Sequence, residues 1–435
     1  MLKEVLRFAV QWCPHDENQH SPRAVMNTRF LFTFRRFAGI LLLLLAAFSI
    51  ESLHLCGQTK PKGKHPDPQP AIEAILAAFN NYEVVGMSEA HRNKDEDDFI
   101  LTLIRTPAFM NKVNDIAVEC GNSLYQPILD RYIAGEDVPV AEVEKVWRNT
   151  TQPMCNTSGF FQEFFPLVRA INRKLPAERR LRVLAGDPPI DWDKIRSQKD
   201  IGAYDGAYDR NLNIASVMKK EVLSKHRKAL MLFGIYHLMH ESADGGPQDR
   251  NAVQIYEKDY PNRTFVIRDL EGLEDVDSPS VLSSPFANWQ IPSLVLLKGT
   301  WLGALPLAHF LSGPAIKLDN NCTASIFYPN GPDKPTEKFV DALLYLGPPS
   351  LSMREPVPAA IASDSDLMAE INRRAKLVGG YWSDYADTGG SEVRLADNVL
   401  LHVVKPPNAA NLKSAEAICR QARQQTSTPF NGKAQ

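Results

Sequence analysis

The chain has 435 residues, with 49 Lys and Arg against 51 Asp and Glu and 44% apolar content, enough to bury one large α/β domain or two to three smaller ones. A formal net charge of −2 gives no field that would draw the whole surface to nucleic acid or acidic lipid, so a small-molecule substrate is the expected partner and nucleic acid is not. The 23% charged content is that of an ordinary globular protein.

Arg29, Arg35 and Arg36 precede an apolar run, residues 37–50, that contains five consecutive leucines. The run is too short to span a bilayer comfortably and has the proportions of the apolar region of a secretory signal. Met26 is placed as a start residue for that signal would be. Residues 1–58 are thus expected to be an N-terminal extension with a signal peptide, and the protein to be exported, periplasmic or secreted. Left uncleaved, that segment would be its membrane anchor and its contact with the membrane. Residues 59–70 (TKPKGKHPDPQP) read as a Pro-rich linker. No CxxC spacing occurs, which argues against zinc-ribbon or thioredoxin chemistry. In an exported protein Cys155 and Cys322 could pair, with the partner left open, while Cys120, following an apolar strand, reads as a small buried hydrophobe.

A short helix is expected over 71–80, and then an apolar run, residues 84–87, stops and delivers Glu89 and His91. Asp95, Glu96, Asp97 and Asp98 crowd the first turn of the next helix, where acids suit the positive end of the dipole. They read as a solvated helix start above an apolar face of Phe99, Ile100, Leu103 and Ile104. Residues 115–119 (DIAVE) form a second apolar run, ending in Glu119. Helices follow at 124–133, 140–147 and 160–175, the last carrying a core stripe of Phe161, Phe164, Phe165, Val168 and Ile171. A third strand, 181–185, ends at Gly186 and Asp187; a long helix covers 204–224; a fourth strand, 229–233, leads through Gly234 to His237. A fifth strand is expected at 264–267, further strands at 292–298, 342–346 and 399–404, and a helix at 364–377.

Short, continuous apolar runs alternating with helices predict an α/β fold with a mainly parallel central sheet flanked by helices. The core domain is expected at 71–277, a C-terminal elaboration at 278–380 and a partly mobile tail at 381–435. In such sheets ligands bind beyond the carboxyl ends of the strands, where this sequence puts Glu89 and His91, Glu119, Asp187 and His237. Each also has a structural reading: a core histidine, a buried ion pair, or for Asp187 the ordinary turn Gly-Asp-Pro-Pro. Recurrence at four successive strand ends favours the functional one. His226, His240 and His309 read as surface or loop histidines, and Tyr125 and Trp192 as packing.

The stretch from Gly86 through Glu89-Ala90-His91 resembles the G-E-x-H motif shared by erythromycin-esterase-like proteins, ChaN-like haem-uptake lipoproteins and the Tiki/TraB group. Glu119, residues 129–135, Arg210 in the helix before the fourth strand, and Gly234-x-x-His237 match in order and spacing, over roughly residues 75–270. The sequence departs in three places: Gly86 is three residues ahead of Glu89, Arg92 stands where the esterase relatives have Gly, and Asn211 replaces the Asp after Arg210. The resemblance implies hydrolysis of an ester or lactone by water activated at His91. Glu89 or Glu119 would orient the imidazole, and Arg210 or His237 would meet the oxyanion, with no cofactor required. The same resemblance implies two alternatives. One is a metal-dependent hydrolase of the Tiki type, with Glu89, His91, Glu119 and His237 as ligands to a divalent metal. The other is a haem- or metal-binding exported protein of the ChaN type.

Overall fold

The computed structural model describes residues 63–379 apart from 242–249, 271–285, 287–288, 308–314, 320–321, 326–333, 348–352, 354 and 356. The expected signal segment, the tail with its strand at 399–404, and His309 lie outside the described residues.

Eight strands form one mixed sheet: β1 (Pro68–Pro70), β2 (Val84–Ser88), β3 (Asp115–Asn122), β4 (Arg182–Asp187), β5 (Ala229–Phe233), β6 (Thr264–Asp269), β7 (Ser293–Leu296) and, after the separate two-stranded pair β8 (Ala315–Asp319) and β9 (Cys322–Ser325), β10 (Ala342–Tyr345). Their spatial order is β1-β7-β10-β6-β2-β5-β3-β4. From β10 to β4 every neighbouring pair is parallel. β1 and β7 complete the other edge in antiparallel fashion. The fold is therefore α/β with a mainly parallel sheet flanked by helices. The last residues of the Pro-rich linker contribute an edge strand, and β7 and β10 from the expected elaboration belong to the same sheet.

The sequence produces this layering because the central strands are apolar on both faces. Val85 and Met87 of β2, Ile116 and Val118 of β3, and Leu230 and Leu232 of β5 pack with the helices Ala71–Ala78, Lys94–Arg105, Gln126–Ala134, Val140–Arg148 and Phe160–Asn172. The alternate residues Val84, Ala117, Ala229, Met231 and Phe233 pack on the other face with Arg210–Glu221 and Ala252–Glu257. The period of two along each strand sends successive side chains to opposite layers. The Phe stripe of Phe160–Asn172 lies in the first of these cores, as its spacing implies. No described helix is long and apolar enough to cross a membrane.

Three expectations change. The helix over 204–224 is two helices, Gln198–Ala207 and Arg210–Glu221, because Asp209 leaves the helical conformation and its side chain caps Leu212 N. The acid run is not wholly solvated: Glu96 and Asp97 are buried, and Glu96 Oε2 accepts the Ala90 N–H at 2.7 Å, tying the helix start to the loop between Glu89 and His91. Cys155 pairs with Cys120, which removes it from a bridge to Cys322 and makes Cys120 a disulfide partner. His240 lies in the loop after β5, as expected, partly buried between Glu257 at 3.3 Å and Asp341 at 2.8 Å. Burial alone would lower its pKa, but those two carboxylates raise it to about 10. His226 is exposed, as expected, and Trp192 is packed, with its indole N–H donating to Thr150 O.

Candidate functional site

Four parallel strands, β2, β5, β3 and β4, end side by side at one edge of the sheet. The β2 end carries the loop with Glu89 and His91. Its backbone is fixed by the Glu89 N–H donating to Phe233 O of β5 at 3.0 Å and by the Glu96 carboxylate under Ala90. Arg92, next in the chain, takes the left-handed conformation at φ +69°. Glycine adopts that geometry most easily, and an arginine adopts it at a cost. Here the conformation is held from outside: Arg92 Nε and Nη2 donate to Glu355 O, and Glu355 N–H returns a bond to Arg92 O.

The side chains converge on Glu119. His91 Nδ1 lies 2.8 Å from Glu89 Oε2, and His91 Nε2 lies 3.9 Å from Glu119 Oε1, too far for a direct hydrogen bond. Arg210 Nη2 donates to the same Glu119 oxygen at 2.9 Å while its Nε donates to Asp187 Oδ1 at 2.7 Å. His237 Nε2 is 3.5 Å from Glu119 Oε1 and 3.4 Å from Arg210 Nη1, and its Nδ1 meets Asn211 Oδ1 at 2.6 Å. Glu119 Oε2 accepts the Gly234 N–H at 2.6 Å; a Cβ at Gly234 would sit 3.2 Å from that oxygen, so a glycine permits the approach. Asp187 Oδ2 is held by the Thr151 N–H and hydroxyl.

Electrostatics divides these groups. Burial would depress the His91 pKa, but the charge and hydrogen bond of Glu89, with Glu119 behind, raise it to about 9. Burial pushes Glu119 up, yet His237 and Arg210 hold it well below the usual carboxylate range. Asp187 goes the other way, burial outweighing the neighbouring Arg210. The Arg210 guanidinium, despite burial, is raised by Asp187 and Glu119 and stays charged.

All five residues singled out in the sequence, Glu89, His91, Glu119, Arg210 and His237, thus meet in one place, and Asp187 joins them. Donor atoms of Glu89, His91 and Glu119 lie within 4.8 Å of one another and could hold a metal ion. His237 approaches Glu119 from the Arg210 side and is not in that converging set. Glu89 Oε2 is buried, with His91 Nδ1 at 2.8 Å as its ion-pair partner. An oxygen of that kind fits a cation ligand.

Several neighbours were not among the sequence candidates. Ser88 Oγ donates to Asp269 Oδ1 at 2.9 Å beside Glu89, and Asp269 ends β6, so the strand-end signal was present there too. Asp97, buried near Glu89 and Glu355, is raised by burial and by those two acids to about 9. Glu355, which accepts the Gly159 N–H at 3.0 Å, is pushed by burial to about 7 against the Gly159 hydrogen bond and Arg92. No local pattern around residue 355 announces it.

No family model and no curated protein matches the chain. Among solved structures it is similar to a Bacillus cereus protein at 11% identity and a TM-score of 0.44, covering 65% of this chain and 94% of that one. A succinoglycan biosynthesis protein is similar at 10% identity and a TM-score of 0.40, again over 65% of this chain and 94% of that one. ChaN of Campylobacter jejuni, described with cofacially bound heme, is similar at 13% identity and a TM-score of 0.26, over 45% and 85% of the two chains. At these TM-scores none of the three assigns a role to any residue here.

Proposed function

We propose that the protein is a hydrolase of esters or lactones in which water is activated between Glu89, His91 and Glu119. The observation that carries this reading is the convergence of those three groups at the carboxyl edge of a parallel sheet, with a guanidinium and a second imidazole alongside. With Nδ1 turned to Glu89, His91 presents Nε2 to a water that it deprotonates, and the Glu89 carboxylate stabilises the imidazolium that results. Arg210 commits Nε and Nη2 to carboxylates, so Nη1, beside His237 Nε2, is the guanidinium nitrogen left for the developing oxyanion. With a His91 pKa of about 9, about one molecule in a hundred carries a neutral imidazole at pH 7.

That protonation, and the buried Glu89 oxygen facing the imidazole, favour a second version of the same reading. In it Glu89, His91 and Glu119 hold a divalent cation of the kind that accepts imidazole and carboxylate together. A cation bound there would supply a water of lowered pKa; Arg210 and His237 would keep their roles. The disulfide between buried Cys120 and Cys155 supports an oxidising, exported setting.

The test is turnover of a panel of 4-nitrophenyl esters and aliphatic lactones by protein treated with EDTA, then by the same protein given Zn²⁺ or Mn²⁺. A His91→Ala variant should stay folded and lose about 100-fold or more. Unchanged turnover in that variant removes the reading. Activity that persists undiminished after EDTA selects the metal-free version.

A further inference from the structure

Beyond Val118 the strand β3 leaves its neighbours. Val118 is the last β3 residue to pair with β5, opposite Leu232. On the β4 side the register shifts between Val118, opposite Ala185, and Asn122, opposite Asp187. Four steps along β3 thus answer two along β4, and Glu119, Cys120 and Gly121 form a bulge. Bulges beside functional sites re-aim a side chain. This one carries Glu119, the acid on which Arg210, His237 and the Gly234 N–H converge. A residue off the ladder needs another anchor to hold its direction.

Two anchors lie at the exit of the bulge. Gly121 sits against Ala185, where an added Cβ would come within 2.7 Å of its Cα, and the Asn122 amide donates to Asn149 O and Ile190 O at 2.7 and 2.8 Å. The middle is held covalently. Cys120 packs in the core with Ile116 and Val118, on the face opposite Ala117, and is bonded to Cys155 in the helix Pro153–Asn156. The same segment, four residues earlier, supplies Thr151, whose N–H and hydroxyl hold Asp187 Oδ2. One cross-link therefore joins the backbone that presents Glu119 to the backbone that seats Asp187. These are the two carboxylates that Arg210 spans, at 2.9 and 2.7 Å.

We infer that the Cys120–Cys155 disulfide is a positioning element of the site: it holds the bulge so that Glu119 meets Arg210 at a fixed separation from Asp187. The role concerns the ion-pair network and goes beyond the hydrolase reading, which enters only where turnover is measured. A cross-link that acts solely by shortening the free chain works through the unfolded state, and its loss adds to the loss of a separate native contact. A cross-link that aims Glu119 behaves differently. Without it the Arg210 contact is already weakened, so removing Arg210 costs less.

The test is a double-mutant cycle read by thermal melts at pH 8, combining Arg210→Met with Cys120→Ala/Cys155→Ala. The fall in Tm caused by Arg210→Met should shrink to about half or less once the cysteines are replaced. Reduced protein repeats the comparison with both cysteine side chains kept: the S–S bond breaks, each sulfur takes a hydrogen from dithiothreitol, and dithiothreitol closes to its own ring disulfide. At a temperature well below Tm, kcat for a 4-nitrophenyl ester that the parent turns over should drop about tenfold or more without the disulfide, with KM within about twofold. Equal falls in Tm with and without the disulfide overturn the proposal. So does collapse of the fold in both the reduced and the cysteine-free protein, which would make the bridge a support of the whole domain. Coupled Tm losses in a protein that hydrolyses no ester would sink the hydrolase reading and leave the positioning role standing.

Discussion

Arg210 lies between two buried carboxylates, and its removal is the most direct test of how the site is held. In Arg210→Met the apolar stem is kept, while Glu119 and Asp187 lose the guanidinium that bonds them at 2.9 and 2.7 Å. Breaking a buried ion pair from one side costs ~3–5 kcal/mol. The Arg210 side chain is 26% exposed, so the lower end, about 3 kcal/mol, is the expectation. For a domain of this size, at about 2.1 cal/mol/K of unfolding entropy per residue, that corresponds to a fall in Tm of roughly 5 °C. The loss should depend on pH with a definite sign. Glu119 in the wild type is held below its ordinary 4.5, so its contribution is present above that pH and is lost only as pH falls through the depressed value. Without Arg210 the Asp187 carboxyl, already raised by burial, is raised further, and Glu119 keeps His237 but loses the second charge that holds it down, so relative to wild type the variant loses stability as pH rises. The gap between the two proteins must therefore be wider at pH 8 than at pH 5. Thermal and urea melts of both proteins at the two pH values measure it. An unchanged Tm, or an equal loss at both pH values, would refute the assignment of Arg210 as the charge that compensates these acids.

Metal-free turnover should rise with pH and level off above about pH 9, because the neutral imidazole of His91 is the form that accepts a proton; a profile flat from pH 6 to 9 would take His91 out of that role. Replacing both Cys120 and Cys155 with Ser opens a loop with a sequence separation of 35 residues and should cost about 4 kcal/mol by loop entropy. Denaturation midpoints would read this, and a loss under 1 kcal/mol would contradict the entropic account. Haemin titrated into the purified protein should give no saturable Soret shift; a stoichiometric shift would move the chain from the hydrolase to the haem-binding reading.

The strands were legible because parallel strands covered on both faces are written as unbroken apolar runs, and residues 229–233 match β5 to the residue. The site was legible for the same reason: an apolar run that halts at a polar residue marks the carboxyl edge, and neighbouring runs stop at the same edge. What stayed hidden depends on contacts between distant segments. Four acids at a helix start read alike whether solvated or buried, and only the Ala90 N–H arriving at Glu96 separates the cases. The Cys120 partner is set by where the helix Pro153–Asn156 sits against β3, which spacing does not encode. The break at Tyr208 and Asp209 is a cap competing with a helix that the local pattern would happily continue. Arg92 at φ +69° was visible as a departure from glycine, but the backbone of residue 355 that sustains it lies 263 residues away.

The charges of the site explain why the two versions of the mechanism are linked. Glu89, Glu119 and Asp187 set three carboxylates against the guanidinium of Arg210, and Asp97 adds a fourth acid near Glu89. A buried cluster with that balance recruits positive charge, first by holding a proton on His91 and second by leaving Asp97 protonated. A divalent cation on Glu89, His91 and Glu119 answers the same deficit and needs the His91 nitrogen free, so proton and cation compete for one place. Cation affinity should then climb as pH rises from 6 to 9, approaching tenfold per pH unit while one proton is displaced per ion bound. Calorimetric titrations with Mn²⁺ in buffers of different ionisation enthalpy count that proton directly. An affinity independent of pH, with no proton released, would mean that His91 is not a ligand and that its proton serves the hydrolytic step alone.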